Sequence, residues 1–99
     1  MIRIYIAGPM TGLPGFNYAA FHEAAHALRA EGHHVENPAE NDNPGASWAW
    51  YMRKAIAQLV TCDQIYLLPG WENSRGARIE ADLANKLGMR VVFAAEAQS

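Results

Sequence analysis

The sequence predicts a three-layer α/β fold, in which a parallel sheet of about four strands is covered by helices on both faces. Short apolar segments alternate with segments of helical periodicity, in the order β-α-β-α-β-α-β. The strand segments are apolar almost throughout, as expected of parallel strands that are buried on both faces. Right-handed crossovers then favour the strand order 2-1-3-4 of a flavodoxin-like or Rossmann-like sheet.

The first half of the chain supplies two strands and one helix. Residues 2–7 are β-branched and apolar and predict a buried strand. Residues 17–30 predict a helix that ends at Gly32, because apolar side chains recur at helical spacing. Residues 34–36 predict a short second strand, and residues 38–46 a turn-rich loop. The apolar positions of the helix are Phe21, Ala24, Ala25 and Leu28.

The second half repeats the alternation. Ser47 is placed to cap a helix over residues 48–61, and residues 64–68 predict the third strand. Residues 76–87 predict the third helix, and residues 90–94 the fourth strand. The residues that follow are expected to be frayed.

Bulk composition limits the classes of function. A chain of 99 residues, 51% hydrophobic and 18% charged, indicates one globular domain over residues 1–99. The net charge of −2, without a Lys/Arg cluster, argues against a nucleic-acid partner. The single cysteine, Cys62, excludes an internal disulfide. Strand-like sequence from Ile2 leaves no room for a signal peptide, and no apolar run reaches membrane-spanning length, so a soluble cytoplasmic protein without membrane contact is expected.

Two glycine-rich turns, residues 8–15 and 70–76, follow the first and third strands. The order of the predicted sheet reverses between these strands, and ligands of such sheets bind above their carboxyl ends. Ser74 is a candidate N-cap, and Glu80 lies four residues after Gly76 on the same helical face. An anion at the turn beside a carboxylate is the layout of a nucleotide site.

Each of these residues also has an ordinary structural interpretation. The turn after the first strand lacks both the dinucleotide fingerprint and the P-loop ending, so it would also suit a plain βα connection. Glu80 and the arginines Arg75 and Arg78 would suit a solvated helix, and Asp63 would suit a residue that binds backbone amides at the start of a strand. Tyr5 stands in a strand built mainly of Ile and Ala, and its hydroxyl needs a partner if buried.

A zinc site is a further alternative. His22, Glu23 and His26 match the H-E-x-x-H pattern on a predicted helix. Packing of the apolar residues turns both histidines toward solvent, and Arg29 stands where the extended motif requires glycine. The pattern is therefore interpreted as a coincidence, and neither a metal nor another cofactor is expected.

The sequence resembles the nucleoside 2-deoxyribosyltransferase superfamily over nearly its whole length. The matching residues are Ile4-Tyr5-Ile6-Ala7-Gly8-Pro9-Met10, Asp63 and Ser74-Arg75-Gly76-Ala77-Arg78-Ile79-Glu80. The resemblance is to the small bacterial and phage domains of that superfamily, whose hydrolase branch includes the 2′-deoxynucleoside 5′-phosphate N-glycosidases.

The resemblance implies roles for individual residues. Glu80 would be the nucleophile that attacks the anomeric carbon of the sugar, and Tyr5 would touch the sugar or orient Glu80. Trp71 would stack on the base. A 5′-phosphate would be held by the amides of the loop that contains Gly8, Met10, Thr11 and Gly12, together with Ser74, Arg75 and Gly76.

One departure affects the chemistry. The resemblance implies an acid on the helix before the third strand, yet residues 48–62 contain no Asp or Glu, and Ala55 stands at the aligned position. Asp63 or Glu72 would have to replace it as a proton donor for the leaving base.

The sequence therefore predicts a nucleotide-processing N-glycosidase or deoxyribosyltransferase. The alternative is a non-catalytic module that captures a nucleotide or an ADP-ribose-like signal in the same crevice. A homo-oligomer is expected, because the aromatic-rich helix at residues 48–59 has more apolar surface than one sheet face covers.

Overall fold

The computed structural model describes residues 1–94 as an α/β, Rossmann-like domain with one parallel sheet of order β2-β1-β3-β4. The predicted strand order is confirmed. The strands are β1 (Arg3–Ala7), β2 (His34–Glu36), β3 (Gln64–Leu67) and β4 (Arg90–Phe93), and the helices are α1 (Tyr18–Ala30), α2 (Trp48–Leu59) and α3 (Arg75–Lys86). The prediction about the residues after position 94 lies outside the described part of the chain.

Boundary differences from the predicted elements have local causes. The first helix begins at Tyr18 rather than Asn17, because Asn17 has a left-handed backbone with φ of 60°. The predicted loop after β2 contains a 3₁₀ helix over Pro38–Glu40, which the buried Asn37 caps by accepting a bond from the Ala39 amide. The other ends move by one or two residues, within the usual fraying of element ends.

Alternation along β1 divides the core into two layers. Ile4 and Ile6 pack with α1 on one face of the sheet. Tyr5 and Ala7 point to the other face, where they join buried residues of α2 and α3. Tyr5 therefore lies in the layer that also contains Glu80, the only buried charged side chain described.

Helix α2 buries Ala55 and Leu59 and leaves Trp48 43% exposed. Ser47 caps it as predicted, its hydroxyl accepting a bond from the Trp50 amide at 3.1 Å. The expectation that a second copy covers part of this helix stays a prediction. Within residues 1–94, no helix combines the length and the apolarity needed to cross a membrane.

Candidate active site

A buried carboxylate–phenol pair joins α3 to β1. Glu80 is 5% exposed and Tyr5 is fully buried, and the Tyr5 hydroxyl donates a hydrogen bond to Oε2 of Glu80. Sequence analysis predicted both residues for the site, and the fold brings them together because Tyr5 points from the central strand toward the inward face of α3.

Burial controls the protonation of the pair. Loss of solvation raises the pKa of Glu80 to about 7, while the hydrogen bond from Tyr5 opposes this rise by favouring the charged form. Burial, and next the negative charge of Glu80, raise the pKa of Tyr5 well above its ordinary range. The phenol therefore keeps its proton near neutral pH, whereas the carboxylate changes between its two forms there.

The start of α3 lies one turn before Glu80. Ser74 caps the helix as predicted, its hydroxyl accepting a bond from the Ala77 amide at 3.2 Å. The Arg75 guanidinium lies over the ring of Trp48, 4.4 Å from its centroid. A helix start of this kind offers unpaired N–H groups and a partial positive charge to an anion.

The two glycine-rich turns meet at the carboxyl edge of the sheet, as the strand order predicts. A Cβ atom added to Gly8 would lie only 2.8 Å from Cβ of Leu68, so glycine is needed for the ends of β1 and β3 to approach. A Cβ atom on Gly70 would lie 3.3 Å from the Pro9 ring. Farther along the first turn, Met10 packs against the α1 layer, whereas Thr11 and Gly12 are exposed.

Substitution of Gly8 by alanine is expected to lower the free energy of unfolding by about 1–3 kcal/mol, because the new methyl group overlaps the backbone-proximal Leu68 Cβ and forces strands apart. Urea denaturation measures the change. The control is Thr11→Ala at an exposed position of the same turn, which should stay within about 0.5 kcal/mol of wild type. Equal stability of Gly8→Ala and wild type would contradict the close approach.

The structure does not bring Asp63, which was predicted for the site, together with the glycine-rich turns. Asp63 precedes β3, so it lies at the amino end of the sheet, opposite the glycine-rich turns. Its carboxylate accepts a bond from the Arg3 amide at 3.0 Å, and its own amide donates to the Arg3 carbonyl at 2.8 Å. The ordinary interpretation, backbone binding at the start of a strand, is the one observed.

Trp71 lies on the far side of α3 from the Tyr5–Glu80 pair. Its ring packs against Phe93 of the outer strand, with 6.1 Å between centroids. It lines two open grooves of about 460 and 310 Å³, whose lining residues include neither Tyr5 nor Glu80. The expected concave site over the pair is therefore covered.

Residues of α2 pack against the first turn of α3, a contact that sequence reasoning missed. A Cβ atom on Gly76 would lie 3.0 Å from Sδ of Met52 and 3.9 Å from the Trp48 ring. Met52 thus packs closely against α3 about one turn before Glu80, and the Trp48 ring lies beside the same turn at an ordinary contact distance. The i, i+4 spacing of Trp48 and Met52 places them on one stripe of α2, and this spacing was the sequence signal for a shared packing surface.

The histidine pair of α1 is exposed, as predicted from the packing of its apolar residues. His22 and His26 both face solvent, and the His22 ring hydrogen-bonds the Asn37 side chain at 3.2 Å. Among residues 1–94, no group of three or more His, Cys, Asp or Glu side chains is arranged to hold a metal ion.

Comparisons with known proteins agree with this architecture. Residues 2–93 match the family described as Domain of unknown function (DUF4406). Among solved structures, a 2-desoxiribosyltransferase from Leishmania mexicana is similar, with a TM-score of 0.72 and 23% sequence identity over 92% of this chain. At that identity the likeness shows the fold, and the chain spans 62% of the length of that protein. No curated protein matches the sequence.

Proposed function

We propose a function for this chain, which belongs to the family described as Domain of unknown function (DUF4406): it cleaves or transfers the N-glycosidic bond of a (deoxy)nucleoside 5′-phosphate through Glu80. The observation that carries the proposal is the buried hydrogen bond between Tyr5 and Glu80, one helical turn below the start of α3. The fold shared with a 2-desoxiribosyltransferase supports it.

The proposed chemistry needs one nucleophile and one leaving group. A carboxylate oxygen of Glu80 forms a bond to the anomeric carbon while the bond to the base nitrogen breaks and its electron pair leaves with the base. Water or a second base then attacks the same carbon and releases Glu80. Tyr5 holds the carboxylate by donating a hydrogen bond to Oε2, which leaves Oε1 for the attack.

The surroundings of Glu80 favour a reactive carboxylate. Its pKa of about 7 means that the ionised form is present at neutral pH but is poorly solvated. In the described part of the chain, Glu80 forms no ion pair with Arg75 or Arg78, which an inert, charge-neutralised glutamate would be expected to do. Access to Glu80, which is 5% exposed, requires neighbouring side chains to move.

A 5′-phosphate would bind at the start of α3. Arg75 is exposed there, and the first amides of a helix have no partner within the helix and can bind an anion. The fork of a guanidinium suits phosphate oxygens. A phosphate at this point would place the attached sugar toward Glu80, one turn further along α3.

Replacement of Arg75 by alanine should weaken the affinity for nucleoside 5′-monophosphates by about ten- to a hundredfold, since a charge-assisted hydrogen bond contributes about 1.5–3 kcal/mol. It should hardly change the affinity for plain nucleosides. Calorimetric titration with both ligand sets measures the difference. Arg53→Ala, at an exposed position of α2, is the matched control for loss of one positive charge. Equal weakening of nucleosides and nucleotides would place the phosphate elsewhere.

The leaving base needs a proton donor, and two positions in the chain bear on its identity. Ala55, at the position where the resemblance implies an acid, is 6% exposed in the same buried layer as Tyr5. Glu72 lies in the 3₁₀ turn before α3 and is exposed, so it is the remaining candidate donor. A missing donor would slow base release by a factor of about 10²–10⁴.

The burial of Glu80 and the alanine at position 55 favour one second candidate, a module that binds nucleotides without cleaving them. Incubation of the protein with a panel of nucleotides and nucleosides, followed by chromatography for free base, separates the two. Release of base supports the enzyme. Tight binding without release supports the module.

A further inference from the structure

Trp48 occupies an exposed position beside the start of α3. It is the first residue of α2 and 43% of its surface remains accessible. The ring lies 3.9 Å from the place where a Cβ atom of Gly76 would be, and the Arg75 guanidinium covers part of one ring face. The indole is thus held in a fixed orientation while part of its surface stays free.

This position is within one helical turn of the proposed reaction. Gly76 and Glu80 are four residues apart on α3, a rise of about 6 Å. In a nucleotide the base is attached directly to the sugar carbon that Glu80 would attack. A residue that stacks on the base must therefore lie close to Glu80 and beside the phosphate-binding helix start.

Trp71 does not satisfy this requirement. Its ring packs against Phe93 and faces a groove on the side of the outer strand, whereas Tyr5 lies on the side of the central strand. Of the two tryptophans that flank α3, only Trp48 is on the side of the Tyr5–Glu80 pair. The Trp48 ring lies beside Gly76 at an ordinary van der Waals distance, 3.9 Å from the place of an added Cβ atom.

We propose that Trp48 forms the base-binding wall of the site, an inference that rests on the proposed function. A planar nucleobase would stack against the free part of the indole, and Arg75, fixed on the same ring, would reach the phosphate from there. The ring accepts any base with a π face, so Trp48 would supply affinity for nucleotides over sugar phosphates with little preference among bases.

The experiment separates base from sugar phosphate. Calorimetry measures the affinities of the four 2′-deoxynucleoside 5′-monophosphates and of 2-deoxyribose 5-phosphate, in a Glu80→Gln background so that no ligand is consumed. Trp48→Leu should weaken the affinity for the nucleotides at least about tenfold and leave the affinity for the sugar phosphate within about twofold of the parent protein. Trp48→Phe should restore most of the loss. Trp50→Leu on the same helix is the control and should change neither class.

Each outcome decides one question. The inference is overturned if Trp48→Leu leaves the nucleotide affinity unchanged, or if it weakens the affinity for the sugar phosphate equally. It is also overturned if Trp71→Leu, instead of Trp48→Leu, lowers the nucleotide affinity tenfold. Selective weakening of nucleotides supports it even if the wild-type protein releases no base, in which case only the enzymatic proposal fails. If the parent protein binds none of the ligands, both the proposed function and the inference about Trp48 are overturned.

Discussion

Glu80→Gln should reduce release of base from nucleotides by at least about 10³-fold while nucleotide affinity stays within a fewfold of wild type. The substitution keeps the size of the side chain and its ability to accept the Tyr5 hydrogen bond, but an amide oxygen does not form the glycosyl ester. Chromatographic measurement of free base gives the rate, and calorimetry gives the affinity, so that loss of the chemical step is separated from loss of binding.

The matched control for this prediction is Glu23→Gln on the exposed side of α1, in the layer remote from Tyr5. It makes the same chemical change and should retain the wild-type rate. Release of base at one common rate by wild type and Glu80→Gln would reject the catalytic role of Glu80 and leave the binding module as the function.

The second large effect is on stability. The pKa of Glu80 is about 7 in the folded protein against an ordinary value of 4.5, so the folded state binds the proton more tightly than the unfolded state. The stabilisation is complete below pH 4.5 and is lost as the pH rises through about 7. Between pH 4 and pH 8, Glu80 should therefore lower the free energy of unfolding by about 3 kcal/mol.

Urea denaturation at pH 4, 6 and 8 measures this effect as a difference between wild type and Glu80→Gln. Because glutamine does not titrate, the difference between the two proteins should change by about 3 kcal/mol over this range, whereas other titrating groups cancel. Glu23→Gln should follow the pH dependence of wild type. A constant difference between wild type and Glu80→Gln would mean that Glu80 is solvated in solution and would contradict its burial.

Both effects arise from the same burial. A carboxylate that is held out of water destabilises the fold at neutral pH, and proteins retain such groups mainly where chemistry uses them. The exposed acids of the chain offer a contrast, since Lys86–Asp82 and Arg29–Glu40 pair at the surface at 3.0 and 2.8 Å and contribute little to stability.

The sequence by itself determined the architecture. Periodicity and apolar runs predicted four strands and three helices within one or two residues at their ends, because these signals are local. Ser47 and Ser74 were predicted as caps from their place before a helix, and both accept the expected amide bond. The strand order followed from the handedness of crossovers, and it correctly predicted that the turns after β1 and β3 meet.

The same topology also gives the position of Asp63. A residue before a parallel strand lies at the opposite edge from a residue after it, so Asp63 could have been placed at the amino end from the sequence alone. Tyr5 and Glu80 were predicted for one site, since one lies on the central strand and the other on the inward face of the helix that follows the neighbouring strand.

Only the tertiary structure decided how far the Tyr5–Glu80 pair is buried and which tryptophan lies beside the start of α3. The burial of Glu80 and its raised pKa depend on tertiary packing, and α2 reaches van der Waals contact with α3 at Gly76. Trp48 and Trp71 are similar in sequence terms, each at the start of a helical segment. Their positions on opposite sides of α3 come from the packing of three elements that are distant in sequence, and no local pattern specifies such a distance.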